Sequence, residues 1–294
     1  MDTKQKIEKA QTVLDAGGNV IKTRDDRELI LVDKDGKVQN ADACGWLPDT
    51  SEVNKTVFRS RIEPWLTSLF QSEHLSLLCG SGITNAISFL AGASGGTTMG
   101  LTTFTKYKDE IKAAAEVSAK ASGRENGNIE DQIRTANDLL RGLKILKKDA
   151  EATALETELN SIISEFAKSI LKTENSIATA NEDKRENAYS VLVNFLLSFA
   201  SRTGNRERLN IFTTNYDRLI EVGAELAGVH LMDRFVGTMM PVFRSSRLNL
   251  DIHYNPPGIR GEPRYLEGVA RLTKLHGSID WIQNGSEIRR TPEH

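Results

Sequence analysis

Three short stretches of this chain set chemically capable side chains where an apolar run meets a turn. LSLLCGSGITNAISF (75–89) brings Gly80, Ser81 and Gly82 directly after its apolar residues. LNIFTTNYDRLIE (209–221) brings Thr213, Thr214, Asn215 and Asp217 around a tyrosine, and KLHGSIDW (274–281) brings His276 backed by Gly277. Glycines after a strand allow a tight turn and a close ligand, and the free N–H groups of the helix that follows favour an anion such as pyrophosphate. A histidine titrates near neutrality and can act as a general base, with the glycine beside it letting a substrate approach. In an open parallel sheet, ligands gather outside the carboxyl ends of the strands, so all three stretches would face one crevice.

Each stretch also has a plainer explanation. The dinucleotide fingerprint places Gly or Ala three positions after its second glycine, whereas Asn85 stands there in this chain with Ala86 next, so a plain glycine turn stays open. Thr214 or Asn215 could be an N-cap, with Asp217 favoured by the dipole in the first turn of a helix running from about Tyr216 to Leu226. Capping accounts for one or two polar residues, but not for four around Tyr216. A lone histidine is more often structural than catalytic, yet His74, His230, His253 and His294 have no setting comparable to that of His276.

The elements that must position these residues follow from periodicity. Residues 75–79 and 209–213 are short apolar runs suited to buried strands, and VARLTKLHGSIDWIQ (269–283) reads as a strand ending at His276-Gly277. From about 101 to 205 the chain becomes helical in period and highly charged, and its interleaved Glu, Lys and Arg read as a solvated face. Within it YSVLVNFLLSFA (189–200) is apolar on most sides and reads as a buried helix against the sheet.

Residues 3–16 have apolar positions at helical spacing and stop at Gly17-Gly18, and ELILVDKDGKVQ (28–39) reads as a hairpin turning at Asp35-Gly36. Asp33-x-Asp35-Gly36 lacks the spacing and distal Glu of a calcium loop, so a plain turn is expected there. VFRSRIEPWLTSLFQS (57–72) reads as a helix that Pro64 can kink or restart. The succession predicts an α/β fold, with a parallel sheet flanked by helices and split by a large helical insertion. A small N-terminal helix-hairpin extension over 1–55 precedes this main domain of 56–294.

Composition narrows the class further. With 39% hydrophobic and 27% charged residues in 294, the chain matches an ordinary soluble globular protein. A formal charge of -2 exerts no global pull toward nucleic acid, and direct nucleic-acid binding is not expected from the local Arg residues at 202–208 and 289–290. The longest apolar run, 191–200, falls far short of the about 20 residues that span a bilayer. The N-terminus lacks the apolar core and cleavage site of a secretory signal, which points to the cytoplasm. Cys44 and Cys79 are the two cysteines and form no CxxC pair, so neither a disulfide framework nor a zinc module is expected.

GSG after one strand, TTNYD after a second and LHGSIDW after a third resemble, in that order, the nucleotide, Asn-Asp and catalytic-histidine motifs of the sirtuin-like (silent information regulator) superfamily. TNYDxLIE followed by HGSxxW is similar to the bacterial branch found in antiphage defence. The matching residues number about 25, with roughly 60 residues between the second and third motifs. The resemblance implies a Rossmann-like domain that uses NAD as substrate. Carried over by position, Gly80, Ser81 and Gly82 would contact the pyrophosphate. Asn215 would hold water or the nicotinamide ribose, Thr214 and Gly277 would line the substrate site, and Asp217 would position that ribose or the asparagine loop. His276 would be the general base. A neutral amide such as Asn215 can both donate to and accept from a water and a ribose hydroxyl.

Departures from the family redirect the expected chemistry. Protein-deacylating sirtuins carry a four-cysteine zinc module and a Gly-Ile-Pro-Asp-Phe-Arg stretch after the glycine turn, whereas this chain continues ITNAISFLAGASGGTTMG. NAD hydrolysis to ADP-ribose and nicotinamide is therefore favoured over lysine deacylation. The Gly-Ser/Thr-Ser turn with which the family contacts the adenosine half has no counterpart after Trp281, so either this chain is a fragment or that half is held differently. By the same resemblance the chain would act in defence by NAD depletion, as a homo-oligomer and with a HerA-type DNA-translocating ATPase as a possible partner. The alternative is a non-catalytic sensor of NAD or ADP-ribose, or a scaffold subunit.

Overall fold

A computed structural model describes residues 3–21, 29–39, 55–93, 100–201, 207–247, 250–254 and 264–291. The chain divides into two compact units, Met1–Ser72 and Glu73–His294. The first holds α1 (Thr3–Asp15), β1 (Asn19–Ile21), β2 (Ile30–Val32) and α2 (Lys55–Phe70). Ala10 and Val13 of α1 pack on Leu31 of β2, which pairs antiparallel with β1. Gly18 is required at the crossing, because a Cβ there would lie 2.4 Å from the carbonyl oxygen of Val32. Asp33 accepts from the N–H groups of Asp35 and Lys37 within the turn that leads to Val38, so the carboxylate serves the turn itself. Pro64 neither ends nor restarts α2, which runs through it.

The second unit is built on a parallel sheet. Its first strand, β3 (Ser76–Cys79), leads into α3 (Ser81–Ala91), and the chain then passes through α4 (Lys108–Ala121), α5 (Ile129–Ile145), α6 (Asp149–Ala178) and α7 (Glu182–Ala200). It returns as β4 (Leu209–Thr213), α8 (Leu219–Leu226) and β5 (His230–Met232). Short strands β6 (Phe235–Val236), β7 (Val242–Phe243), β8 (His253–Tyr254) and β9 (Arg264–Tyr265) precede β10 (Val269–Lys274), which is followed by β11 (Trp281–Asn284) and β12 (Glu287–Arg290). The sheet order is β3-β4-β10-β5 with every neighbouring pair parallel, so the fold is a Rossmann-like α/β arrangement.

This order has a direct consequence for the three motifs. The strands that carry them, β3, β4 and β10, are immediate neighbours, and Cys79 lies opposite Thr213, which lies opposite Lys274. All three motifs therefore leave the sheet at the same end and in adjacent positions.

The helical stretch is two structures rather than one. α4, α5 and α6 share their own core, in which Ile111, Ala136, Leu155 and Leu159 are buried. α7 belongs to the sheet layer: Leu192 and Leu196 close on Gly223 of α8, where a Cβ would meet them at 2.8 Å. The expectation that α7 is buried on most sides is corrected. Ala188, Leu192, Leu196 and Ala200 form one buried stripe, while Val191 and Phe195 at its edge are exposed.

A second correction concerns α8, which begins at Leu219 rather than near Tyr216. A helix through 216–220 would need the Tyr216 and Asp217 carbonyls for its own ladder. Both are already taken: Tyr216 O accepts from the Ile279 N–H and from the Ser278 hydroxyl, and Asp217 O accepts from the Lys274 ammonium. Residues 214–218 form a loop held by these contacts. Elsewhere, Phe235, Phe243 and Trp281 stack across an antiparallel sheet of order β11-β12-β7-β6, with the Arg290 guanidinium 4.4 Å over the Phe235 ring. Among the described residues no helix is long and apolar enough to cross a membrane, and no group of three or more His, Cys, Asp or Glu could hold a metal ion.

Candidate active site

At the carboxyl ends of β3 and β4, α3 and the β4 loop are latched together by side chains. The Thr84 hydroxyl donates to Asp217 Oδ2 at 2.6 Å and accepts from Asn215 Nδ2 at 3.0 Å. Asn215 Nδ2 also donates to the Gly80 carbonyl at 3.0 Å, which fixes the orientation of the amide, since only its nitrogen can face that oxygen. Asp217 Oδ1 accepts from the Leu219 N–H at 3.2 Å, and Thr213 Oγ1 accepts from the Asn215 N–H. Thr84, Thr213, Asn215 and Asp217 are all buried. Asp217 is thus both a turn cap and a latch on the asparagine loop.

Beneath the latch, Lys274 at the end of β10 reaches Glu221 Oε1 at 2.9 Å as well as the Asp217 carbonyl. Burial holds the Glu221 carboxyl above the usual range, against the opposing charge of Lys274. The β10 loop is stitched to the β4 loop by hydrogen bonds from the Leu275 N–H to Thr213 O and from the Ile279 N–H to Tyr216 O. These bonds carry His276 to the side of Tyr216, with ring centroids 6.1 Å apart.

The result is a cavity of about 250 Å³ lined by Ser81, Thr84, Asn85, Thr214, Asn215, Tyr216, Asp217 and His276 from the sheet ends. The residues singled out by sequence divide around it. Ser81, Thr214, Asn215, Asp217 and His276 line it, and Gly80 supplies the carbonyl that holds Asn215. Gly82 is exposed on the first turn of α3, and Gly277 lines a neighbouring cleft.

The reasons for the glycines also differ from expectation. Neither Gly80 nor Gly82 has a positive φ, and a Cβ on Gly82 would meet nothing within 4 Å, so the fold itself does not demand the glycine. Gly277, at φ +95°, is required by its backbone conformation. Gly80 is the N-cap of α3 and has no side chain with which to cap it. Among the described residues, none accepts from the N–H groups of Ser81 or Gly82, which leaves the helix start open to an anion.

Asn215 retains one free function. Both its Nδ2 hydrogens are engaged and no described residue donates to Oδ1, so toward the cavity this amide can accept but not donate. The expectation that it both donates and accepts toward a ligand is narrowed accordingly.

The opposite wall comes from the helical body and went unread in the sequence. Asn128, Glu130, Phe166, Ile170 and Thr173 complete the lining. Glu130 Oε1 accepts from the Tyr216 hydroxyl at 2.7 Å and lies 3.2 Å from His276 Nδ1. Phe166 meets the Tyr216 ring edge-on at 5.6 Å. Burial first, and then the hydrogen bond to Glu130, push the Tyr216 phenol well above its ordinary pKa, so it remains a donor. Glu130 sits in the first turn of α5, where an acid is ordinarily explained by the helix dipole, and nothing in NIEDQIR distinguishes the two roles.

The basic residues considered for nucleic acid are committed internally where they are described. Buried Arg208 pairs with Asp251 and donates to the Leu266 and Ile252 carbonyls. Arg289 pairs with Glu287, and Arg290 with Asp233. No known protein-family model matches the chain, and no curated protein matches it in sequence. The class established by fold and site is a Rossmann-like α/β protein with a cavity at the carboxyl ends of three adjacent parallel strands.

Proposed function

We propose that this protein is an NAD glycohydrolase that cleaves the nicotinamide–ribose bond to give ADP-ribose and nicotinamide. The observation that carries the reading is the convergence of Asn215 and His276, from separate strands, on one cavity beside the uncapped start of α3. The open Ser81 and Gly82 N–H groups suit a pyrophosphate. The cavity is near the lower end of the roughly 300–1,000 Å³ typical of small-molecule sites, which suits the ribose and nicotinamide half of the dinucleotide.

The chemistry asks little of the protein beyond placing water. The cationic nicotinamide leaves with the electron pair of the C–N bond, and oxocarbenium character develops at the anomeric carbon. Asn215 Oδ1 accepts from a ribose hydroxyl or from the attacking water. His276 takes a proton from that water as its oxygen bonds to the anomeric carbon. Action in antiphage defence by NAD depletion, and regulation by homo-oligomerisation or a HerA-type ATPase, belong to the same proposal and rest on the motif resemblance.

A second reading has one observation in its favour. Asn215 is engaged as a latch between α3 and β4, a role that a non-catalytic NAD or ADP-ribose sensor would also need. Release of nicotinamide from NAD by the purified chain, alone and with candidate partners, separates the two. Under the hydrolase reading His276→Ala and Asn215→Ala reduce turnover by at least about 100-fold with the fold retained. Tight NAD binding without turnover in any assembly would establish the sensor instead.

A further inference from the structure

α5 and α6 each reach the sheet-end loops by a carboxylate, and that of α5 falls on the candidate site itself. Glu130 of α5 holds Tyr216 and His276, and Glu174 of α6 forks onto Arg218, with distances of 2.6 and 3.1 Å to the guanidinium and 2.6 Å to the Arg218 N–H. α4, α5 and α6 have a hydrophobic core of their own, so they can hold Glu130 as one body. The start of α5 is tied down by a capping box between Asn128 and Asp131, and buried Asp131 is gripped by Arg124 and Arg134. Glu130 is therefore presented from a rigid helix start, not from a loop.

From this geometry we infer that Glu130 is a positioning residue for His276, through which the α4–α6 body governs the reaction. The inference rests on the hydrolase reading for its catalytic consequence, but its structural half can be tested separately. A carboxylate can only accept, so the 3.2 Å contact to Nδ1 requires a proton on that nitrogen. Nε2 is then left with its lone pair for the water proton, and the imidazolium formed keeps its Nδ1–H on Glu130. The second bond to Glu130, from Tyr216, stops the carboxylate from swinging away, and Phe166 fixes Tyr216 in turn.

Glu130, Tyr216 and His276 also stand between two spaces. They line both the candidate cavity and a larger cleft of about 510 Å³ whose walls include Ile133, Ile163 and Ile282. Withdrawal of α5 would take Glu130 with it and free the imidazole. A partner or assembly contact on the α4–α6 body thus has a physical route to the chemistry without touching the substrate.

The experiment has a spectroscopic arm and a kinetic arm. In ¹⁵N-histidine spectra of the full chain, assigned by loss of one signal set in His276→Ala, His276 is expected to carry its proton on Nδ1. Glu130→Ala should move it toward the Nε2–H form that free histidine favours. In the kinetic arm, Glu130→Ala lowers kcat for nicotinamide release by about 100-fold or more with KM for NAD little changed. Glu130→Gln falls between, because its amide oxygen still accepts from Nδ1–H but carries no charge. Adding Glu130→Ala to His276→Ala costs nothing further, as expected of residues acting as a unit.

An Nε2–H tautomer in the unsubstituted chain, unmoved by Glu130→Ala, would overturn the inference. So would an equal loss from Glu130→Ala with and without His276. If the chain releases no nicotinamide in any assembly the hydrolase reading fails, and the tautomer still decides the role of Glu130.

Discussion

The two walls of the cavity are held by different physics. The sheet-end wall is a set of buried groups bonded to one another: the Thr84 hydroxyl joins Asn215 to Asp217, and Lys274 anchors the loop from below. The helical wall meets it through Glu130 and His276, whose side chains are 31% and 41% exposed, and through apolar contacts of Phe166 and Ile170. Buried polar groups are costly to leave unpaired, so the first wall has essentially one arrangement. A half-exposed carboxylate can exchange its partners for water at small cost, so the Glu130 contact adds less to stability than the buried bonds of the first wall. Under the proposed function, the buried wall would orient the substrate and the partly exposed contact would orient His276.

The largest effect that would test this contrast lies under the sheet-end wall. Lys274→Ala leaves Glu221 buried without its counter-charge and the Asp217 carbonyl without its donor. Equilibrium urea unfolding should show a loss of about 3–5 kcal/mol. A loss below about 1 kcal/mol would mean that water replaces the ammonium and that the wall is not closed.

Thr84→Val keeps the shape but removes the hydroxyl that serves both Asp217 and Asn215. The expected cost is about 1–3 kcal/mol, because a buried carboxylate oxygen loses its donor. The same measurement on Glu130→Gln should show a change within about 1 kcal/mol, since that pair is partly exposed. Equal costs at the two positions would erase the distinction between the walls.

A comparably small effect is a pH dependence on the helical side. The hydrogen bond from Arg124 holds the Asp131 carboxyl below the usual aspartate range, against the opposing effect of its burial. A depressed folded-state pKa contributes stability above the unfolded value of about 4, and this is lost as pH falls through the folded value. Asp131→Asn should therefore cost about 1 kcal/mol at pH 7, discounted for the exposure of both arginines. The gap from the unsubstituted chain should close as unfolding is followed below pH 4. A gap that stays constant would show that the charge on Asp131 contributes nothing.

Much of the sheet-end wall was legible in the sequence and almost none of the helical wall. Short apolar strands followed by Gly80-Ser81-Gly82, Thr213 to Asp217 and His276-Gly277 are local signals, readable because strand, turn and helix start follow one another in the chain. Even there, what each residue bonds to was not readable. Asp217 could equally have sat in the first turn of a helix beginning at Tyr216, whereas Lys274, Ser278 and Ile279 bond the carbonyls of the loop that is found there. Glu130 lies in a run of charges indistinguishable from any solvated helix start, and no local feature says that a tyrosine and a histidine more than 80 residues away converge on it.

By itself the sequence determined the alternation of strand and helix, the polar character of three strand ends and the placement of a long helical excursion between the first and second of them. Hydrophobic period and turn chemistry are properties of neighbouring residues, so they survive reading one residue at a time. Only the tertiary structure decided that β3, β4 and β10 lie side by side, that α7 belongs to the sheet layer while α4–α6 form a separate body, and that this body supplies one wall of the site. Strand order and the docking of a helix are set by which buried surfaces fit together over long separations in the chain. The partner that gives His276 its geometry is fixed there and nowhere in the motif that contains it.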